Sequence, residues 1–144
     1  MSGAIILMYH SVAPGEAARY IEPANCIDPR TFERQMAFLA AERRVVALSA
    51  LVEEIAAGRT PPAGTVCITF DDGYRDNLTV AAPILEKYRL PATLFAATGY
   101  VERGEAQWSD RLHCLSLPAP EHRRLHAQLL EASHDERMRV LAEF

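Results

Sequence analysis

Thr65-Val66-Cys67-Ile68-Thr69-Phe70 is an uncharged run rich in β-branched residues, and two acids and a glycine follow it, Asp71-Asp72-Gly73. A run this short with this composition reads as a buried strand. Successive strand side chains point to opposite faces, so adjacent carboxylates converge on one site only if the backbone turns where they sit. Gly73 permits that turn. Two carboxylates this close repel, and a divalent cation would compensate them. One acid can then be a ligand while its neighbour takes a proton from an activated water, the division of labour of metal-assisted hydrolysis. A solvated turn closing a strand is the plainer reading of the same three residues.

The rest of the chain alternates strands with helices. Ala4 to Tyr9 reads as the first strand and Ser11 to Ile27, with Pro14, Gly15 and Pro23, as a long loop. Asp28 is an N-cap followed by Pro29 at the first helical position, and Phe32, Met36 and Leu39 recur at helical spacing. Val45 to Leu48 reads as a short strand. Ser49 caps a helix that Gly58 ends. After the acids comes a helix from about Asn77 to Tyr88, with Leu78, Leu85 and Tyr88 on one face and Pro83 marking a kink or late start. Ala92 to Ala97 is the fourth strand. Pro118 to Phe144 reads as helix, broken near Ser133-His134-Asp135, where Ser133 can recap a second segment. Strands alternating with helices argue for right-handed βαβ units and a parallel sheet. The fold class expected is therefore α/β, with about four βα units over residues 1–117 and a helical tail or insertion over 118–144.

In such architectures catalytic residues sit at the C-terminal ends of strands. Asp71 and Asp72 lie there, and so does His10 after the first strand. His10 and Tyr74 are candidates for substrate contact or for supporting the acids. His122 and His126, four apart, share a helix face and are the local candidates for further metal ligands, although Arg123 and Arg124 between them oppose cation binding. Trp108 reads as a residue bracing a loop more than as a sugar-stacking platform. His113-Cys114 lacks an identifiable orienting acid for nucleophilic catalysis.

The hexapeptide Thr69-Phe70-Asp71-Asp72-Gly73-Tyr74 resembles the Thr-Phe-Asp-Asp-Gly motif of the polysaccharide deacetylases of the NodB-homology type, carbohydrate esterase family 4. Ile6-Leu7-Met8-Tyr9-His10-Ser11-Val12 resembles the family's opening strand, and residues 90–101, Leu90 to Val101, resemble the stretch after the acids. The resemblance implies a metal-dependent hydrolase that removes N- or O-acetyl groups from sugar polymers, with Asp71 as catalytic base, Asp72 as metal ligand and zinc as the expected ion. It also implies a distorted (β/α) barrel, and a closed barrel takes at least about 200 residues. Four units make half of one, so the expectation is a partial barrel, its other half supplied by another copy or by further chain. The family's later His-Ser/Thr-x-x-His motif is not recognisable, nor are the motifs that supply its arginine, groove tryptophan and general-acid histidine. A degenerate, non-catalytic relative that binds carbohydrate or serves assembly is the alternative. A phosphatase with an aspartyl nucleophile is disfavoured, because acids two residues apart would fall here on Asp71 and Gly73.

A net charge of −4, with no basic cluster interleaved with aromatics, gives no footprint for nucleic acid or an anionic membrane. Cys26, Cys67 and Cys114 are too widely spaced for a disulfide framework or zinc-finger pattern. The short apolar run from Ala4 to Met8 is no signal peptide or membrane span, which makes a cytoplasmic location the expectation.

Overall fold

The computed structural model describes residues 3–144, so the first two residues of the 1–117 unit lie outside the described residues. Strand β1 (Ala4–Tyr9) leads into β2 (Ser11–Val12), the short helix α1 (Gly15–Ala18), a 3-10 turn at Pro23–Asn25 and β3 (Cys26–Ile27). Helix α2 (Pro29–Glu42), β4 (Arg44–Val45), α3 (Leu48–Ala56) and β5 (Thr65–Asp72) follow. A π-turn at Asn77–Ala81 runs into α4 (Ala82–Lys87), then come β6 (Thr93–Ala96), α5 (Thr98–Arg103), α6 (Trp108–Cys114), α7 (Ala119–Glu131) and α8 (His134–Leu141).

The expected parallel sheet is present, with β5 at its centre. β1 pairs along residues 65–70 of β5, while β4 pairs with Thr65 and Val66 and β6 with residues 69–72. Both short partners overlap the span held by β1, so they lie along the opposite edge of β5, one at each end. Among the described residues, β1 and β6 each have a single strand neighbour. A second, two-stranded parallel sheet joins β2 to β3 within the stretch read from sequence as loop. Strands of two residues carry no periodicity, which is why they were not legible.

One face of the sheet is covered. Val66, Ile68 and Phe70 of β5 stand in register with Ile5, Leu7 and Tyr9 of β1, and all of these but Ile5, which is 58% exposed, make the main core with Phe32, Met36 and Leu39 of α2, plus Ala81 and Leu85. Tyr9, Phe32 and Phe70 form an aromatic cluster with ring centroids 5.1–5.8 Å apart. The Asp28 carboxylate accepts from the Arg30 and Thr31 amides, so α2 begins where its cap and proline predict. The other face is open along β1 and β6, where Ile6 is 54% exposed, Met8 60% and Phe95 52%, while Thr65, Cys67 and Thr69 of β5 on that face are buried. Parallel sheets are normally covered on both faces.

The helix after the acids keeps Leu85 and Tyr88 on its packed face, as expected, but not Leu78. Pro83 has no N–H to offer the Thr79 carbonyl, and the Ala82 amide reaches back to Asn77 instead, opening a wide turn. The extra residue turns Leu78 out to 76% exposed and puts Ala81 in the core beside Leu85. Helix α3 starts one residue before Ser49, and its N-cap, Ala47, makes no side-chain cap.

The helical tail breaks where Ser133 predicts. Its hydroxyl accepts from the Glu136 amide while the Glu136 carboxylate accepts from the Ser133 amide, a capping box. Helices α6, α7 and α8 share a satellite core of Leu112, Leu125, Leu129 and Leu141, with Trp108 packed against it and the Arg137 guanidinium 5.1 Å from the Trp108 ring. The helical cluster thus takes in α6 as well as 118–144. Among the described residues, no helix is long and apolar enough to cross a membrane.

Candidate active site

Strand alternation alone would send Asp71 to the open face of the sheet and Asp72 to the covered one. The chain avoids this by turning at Asp72. Asp72 takes φ 70° and Gly73 φ 78°, and the Gly73 amide donates to the Asp71 carbonyl at 2.9 Å. Asp is among the few side chains that tolerate the left-handed region, and glycine enters it without cost to a Cβ. A Cβ built on Gly73 would stand 3.3 Å from the Ala96 Cβ, so β6 also approaches too closely for a larger residue. As a result Asp71 and Asp72 both line one groove of about 540 Å³ at the C-terminal end of β5, which Ile6, Met8, Thr69 and Phe95 also line.

Asp72 also lines a second cavity, of about 430 Å³, together with Tyr74, Tyr100 and Asp110. Burial pushes the Asp72 carboxyl above the usual carboxylate range, the positive field of His10 opposes this, and the charges of Asp71 and Asp110 add to it. His10, expected to support the acids, is thus electrostatically coupled to Asp72. The His10 carbonyl also accepts from Asn77 Nδ2 at 2.6 Å. Tyr74 donates its hydroxyl to Asp110 Oδ2 at 2.7 Å, and burial followed by that bond holds its phenol well above the ordinary tyrosine range, so it stays protonated.

Two further carboxylates hold the turn in place. Asp76 accepts from the Ser11 hydroxyl at 2.7 Å and the Val12 amide at 2.8 Å, which ties the segment after the acids to β2. Asp110, on α6, accepts from the Glu22 amide at 2.9 Å as well as from Tyr74. Sequence reading missed both. Their partners lie 36 to 88 residues away, and only the acid at the third position of α6 gave a local cue.

His122 and His126 are brought together on α7, with near-parallel rings 6.3 Å apart and His126 against Trp108. They do not join Asp72. Among the described residues, no group of three or more His, Cys, Asp or Glu side chains is arranged to hold a metal ion. A hydrolytic zinc centre takes three protein ligands and an open position, so the donor set described does not fit a complete one.

Residues 58–135 match the family model described as polysaccharide deacetylase. YxkH of Bacillus subtilis (strain 168), whose name assigns it provisionally to the polysaccharide deacetylases, is 34% identical over 91 residues, covering 62% of this chain and 30% of its own. Three solved structures superpose on the fold. The Streptococcus pyogenes deacetylase PplD, solved with acetate, gives a TM-score of 0.59 at 27% identity, over 76% of this chain and 50% of its own. IcaB from Ammonifex degensii gives 0.62 at 25% identity, over 81% and 49%. The de-N-acetylase from Aggregatibacter actinomycetemcomitans gives 0.58 at 25%, over 69% and 39%. The chain therefore spans half or less of the length of these relatives, and its α/β sheet corresponds to part of their (β/α) barrel. The acid-bearing strand, its turn and the helix that follows them fall within the matched stretch, and the chain belongs to the polysaccharide deacetylase family.

Proposed function

We propose that this chain carries the acid part of a site that hydrolyses acetyl groups from a polysaccharide or oligosaccharide, N-acetyl sugars first among them. The observation that carries the reading is the convergence of Asp71 and Asp72 on one groove through the left-handed turn at Asp72-Gly73. Asp71 is the base that takes a proton from the attacking water, and Asp72 is the anchoring acid. The family of the chain supports the reaction class, deacetylation. Among the described residues, no group of three or more metal donors stands at the acids. Zinc dependence therefore belongs to the proposal only with two or more donors from outside residues 3–144.

The open face suits that view. Ile6, Met8 and Phe95 lie beside the acids, uncovered, and the relatives are about twice as long as the part this chain matches. A non-catalytic relative that keeps the scaffold for carbohydrate binding is the second reading, and the shortage of metal donors is what favours it. Co-expression with the portion of YxkH beyond the matched stretch separates the two. Acetate release from an N-acetylated chitin oligomer, lost in Asp71→Asn and in Asp72→Asn, is the expected result. A stable complex that binds the oligomer and releases no acetate would replace the enzyme by the binding module.

A further inference from the structure

We infer that Asp110 is a positioning residue for the acid turn, acting through Tyr74. The inference rests on the reading of Asp71 and Asp72 as the reactive acids. Asp110 is 6% exposed, and each of its oxygens holds a different segment: Oδ1 accepts from the Glu22 amide at 2.9 Å and Oδ2 from the Tyr74 hydroxyl at 2.7 Å. Buried carboxylates are rare because desolvation is costly, and one that remains is held by donors to the charged form. Here one donor is the side chain next to Gly73. Neutral partners cannot supply this as firmly, since hydrogen bonds to an ionised acceptor are about twice as strong as neutral ones.

The turn needs such a hold. Asp72 occupies the left-handed region at φ 70°, which Asp tolerates better than most residues but still at a cost that the surroundings must offset. Asp76 fixes the far side through Ser11 and Val12. Asp110 fixes the near side, and it does so from α6, which is packed into the satellite core with α7 and α8. The helical segment is thereby part of the site: it reaches the acids through one carboxylate and one phenol. A plain helix-start role is the competing account, since Asp110 stands in the first turn of α6, where an acid favours the helix dipole.

Amide exchange on the whole chain separates the two. The Gly73 amide bonds to the Asp71 carbonyl and the Asn77 amide to the Tyr74 carbonyl, so both report on the turn, while the Arg111 and Leu115 amides report on α6. In Asp110→Ala the Gly73 and Asn77 amides are expected to exchange about ten- to a hundredfold faster, the range of a lost hydrogen bond to a charged group, with Arg111 and Leu115 within about twofold. Tyr74→Phe should accelerate the same two amides about three- to tenfold, and adding Asp110→Ala to it should have little further effect at the turn. Asp110→Asn, whose amide can still accept from Glu22 and donate to Tyr74 but carries no charge, should restore about half of the protection, counted as free energy. If Asp110→Ala does not fold, Tyr74→Phe and Asp110→Asn carry the test. Unchanged exchange at Gly73 and Asn77 in Tyr74→Phe, equal acceleration across α6, or strict additivity of the two substitutions overturns the inference. Exchange is read without substrate, so a loosened turn in a reconstituted protein that releases no acetate overturns the functional reading and leaves the clamp standing.

Discussion

Replacing Gly73 by alanine tests the turn on which the site depends, and the structure supplies its own control. Gly73 and Gly58 both have positive φ, 78° and 70°, but a Cβ at Gly58 meets nothing within 4 Å whereas one at Gly73 meets the Ala96 Cβ at 3.3 Å and its Cα at 3.5 Å. Gly58→Ala therefore pays the backbone term alone, about 1–2 kcal/mol for an L-residue in the left-handed region. Gly73→Ala adds the crowding of β6, for which the low end of the overpacking range, about 1 kcal/mol, is appropriate to a contact a few tenths of an ångström too close. The sum is about 2–3 kcal/mol, and at this chain length it lowers the melting temperature by about 4–12 °C, against about 2–8 °C for Gly58→Ala. Differential scanning calorimetry or denaturant unfolding of the pair reads the difference. Ala96→Gly in the Gly73→Ala background should recover part of the extra loss. Equal losses at the two glycines would refute the claim that β6 closes on the turn, and no loss at Gly73 would refute the turn itself.

Asp72→Asn should stabilise the chain near neutral pH. Burial raises the Asp72 carboxyl above its unfolded value, so its contribution to stability is fully present below the unfolded carboxylate range and is lost as pH rises through the folded value. The melting temperature of the variant relative to the parent should then be higher at about pH 7 than at about pH 3, and a constant difference would remove the burial argument. The open face, with Ile6, Met8 and Phe95 exposed, should bind an apolar fluorescent dye or self-associate in light scattering. A monodisperse monomer without dye binding would show that the face is covered. Leu129→Ala, at a fully buried position of the satellite core, should cost about 2–5 kcal/mol by chemical denaturation. A loss under about 1 kcal/mol would mean that α7 is not packed as described.

The parts legible in the sequence were those whose cause is local. Asp28 and Pro29 start α2, Ser133 and Glu136 start α8, and the apolar run to Phe70 is the central strand, because caps and periodicities act within a few residues. Asp71 and Asp72 stood out for the same reason: the two acids and Gly73 are contiguous. Missed features depend on distant chain. β2 and β3 stabilise each other across the intervening loop, and Asp110 acquires its role from Tyr74, which is 36 residues earlier. Leu78 shows a third kind of miss, since the proline that shifts the helical register was visible but its effect on the buried face required the observed π-turn.

We propose that residues 3–144 hold the acids of a deacetylase site without the further donors that complete a zinc centre. Calorimetric titration of the purified chain with zinc, followed by an acetate-release assay on an N-acetylated chitin oligomer, tests it most directly. The expected result is no saturable site near micromolar zinc and no acetate above the blank. Micromolar zinc binding together with acetate release, both abolished in Asp72→Ala, would contradict the account and point to His122 and His126 as ligands after all.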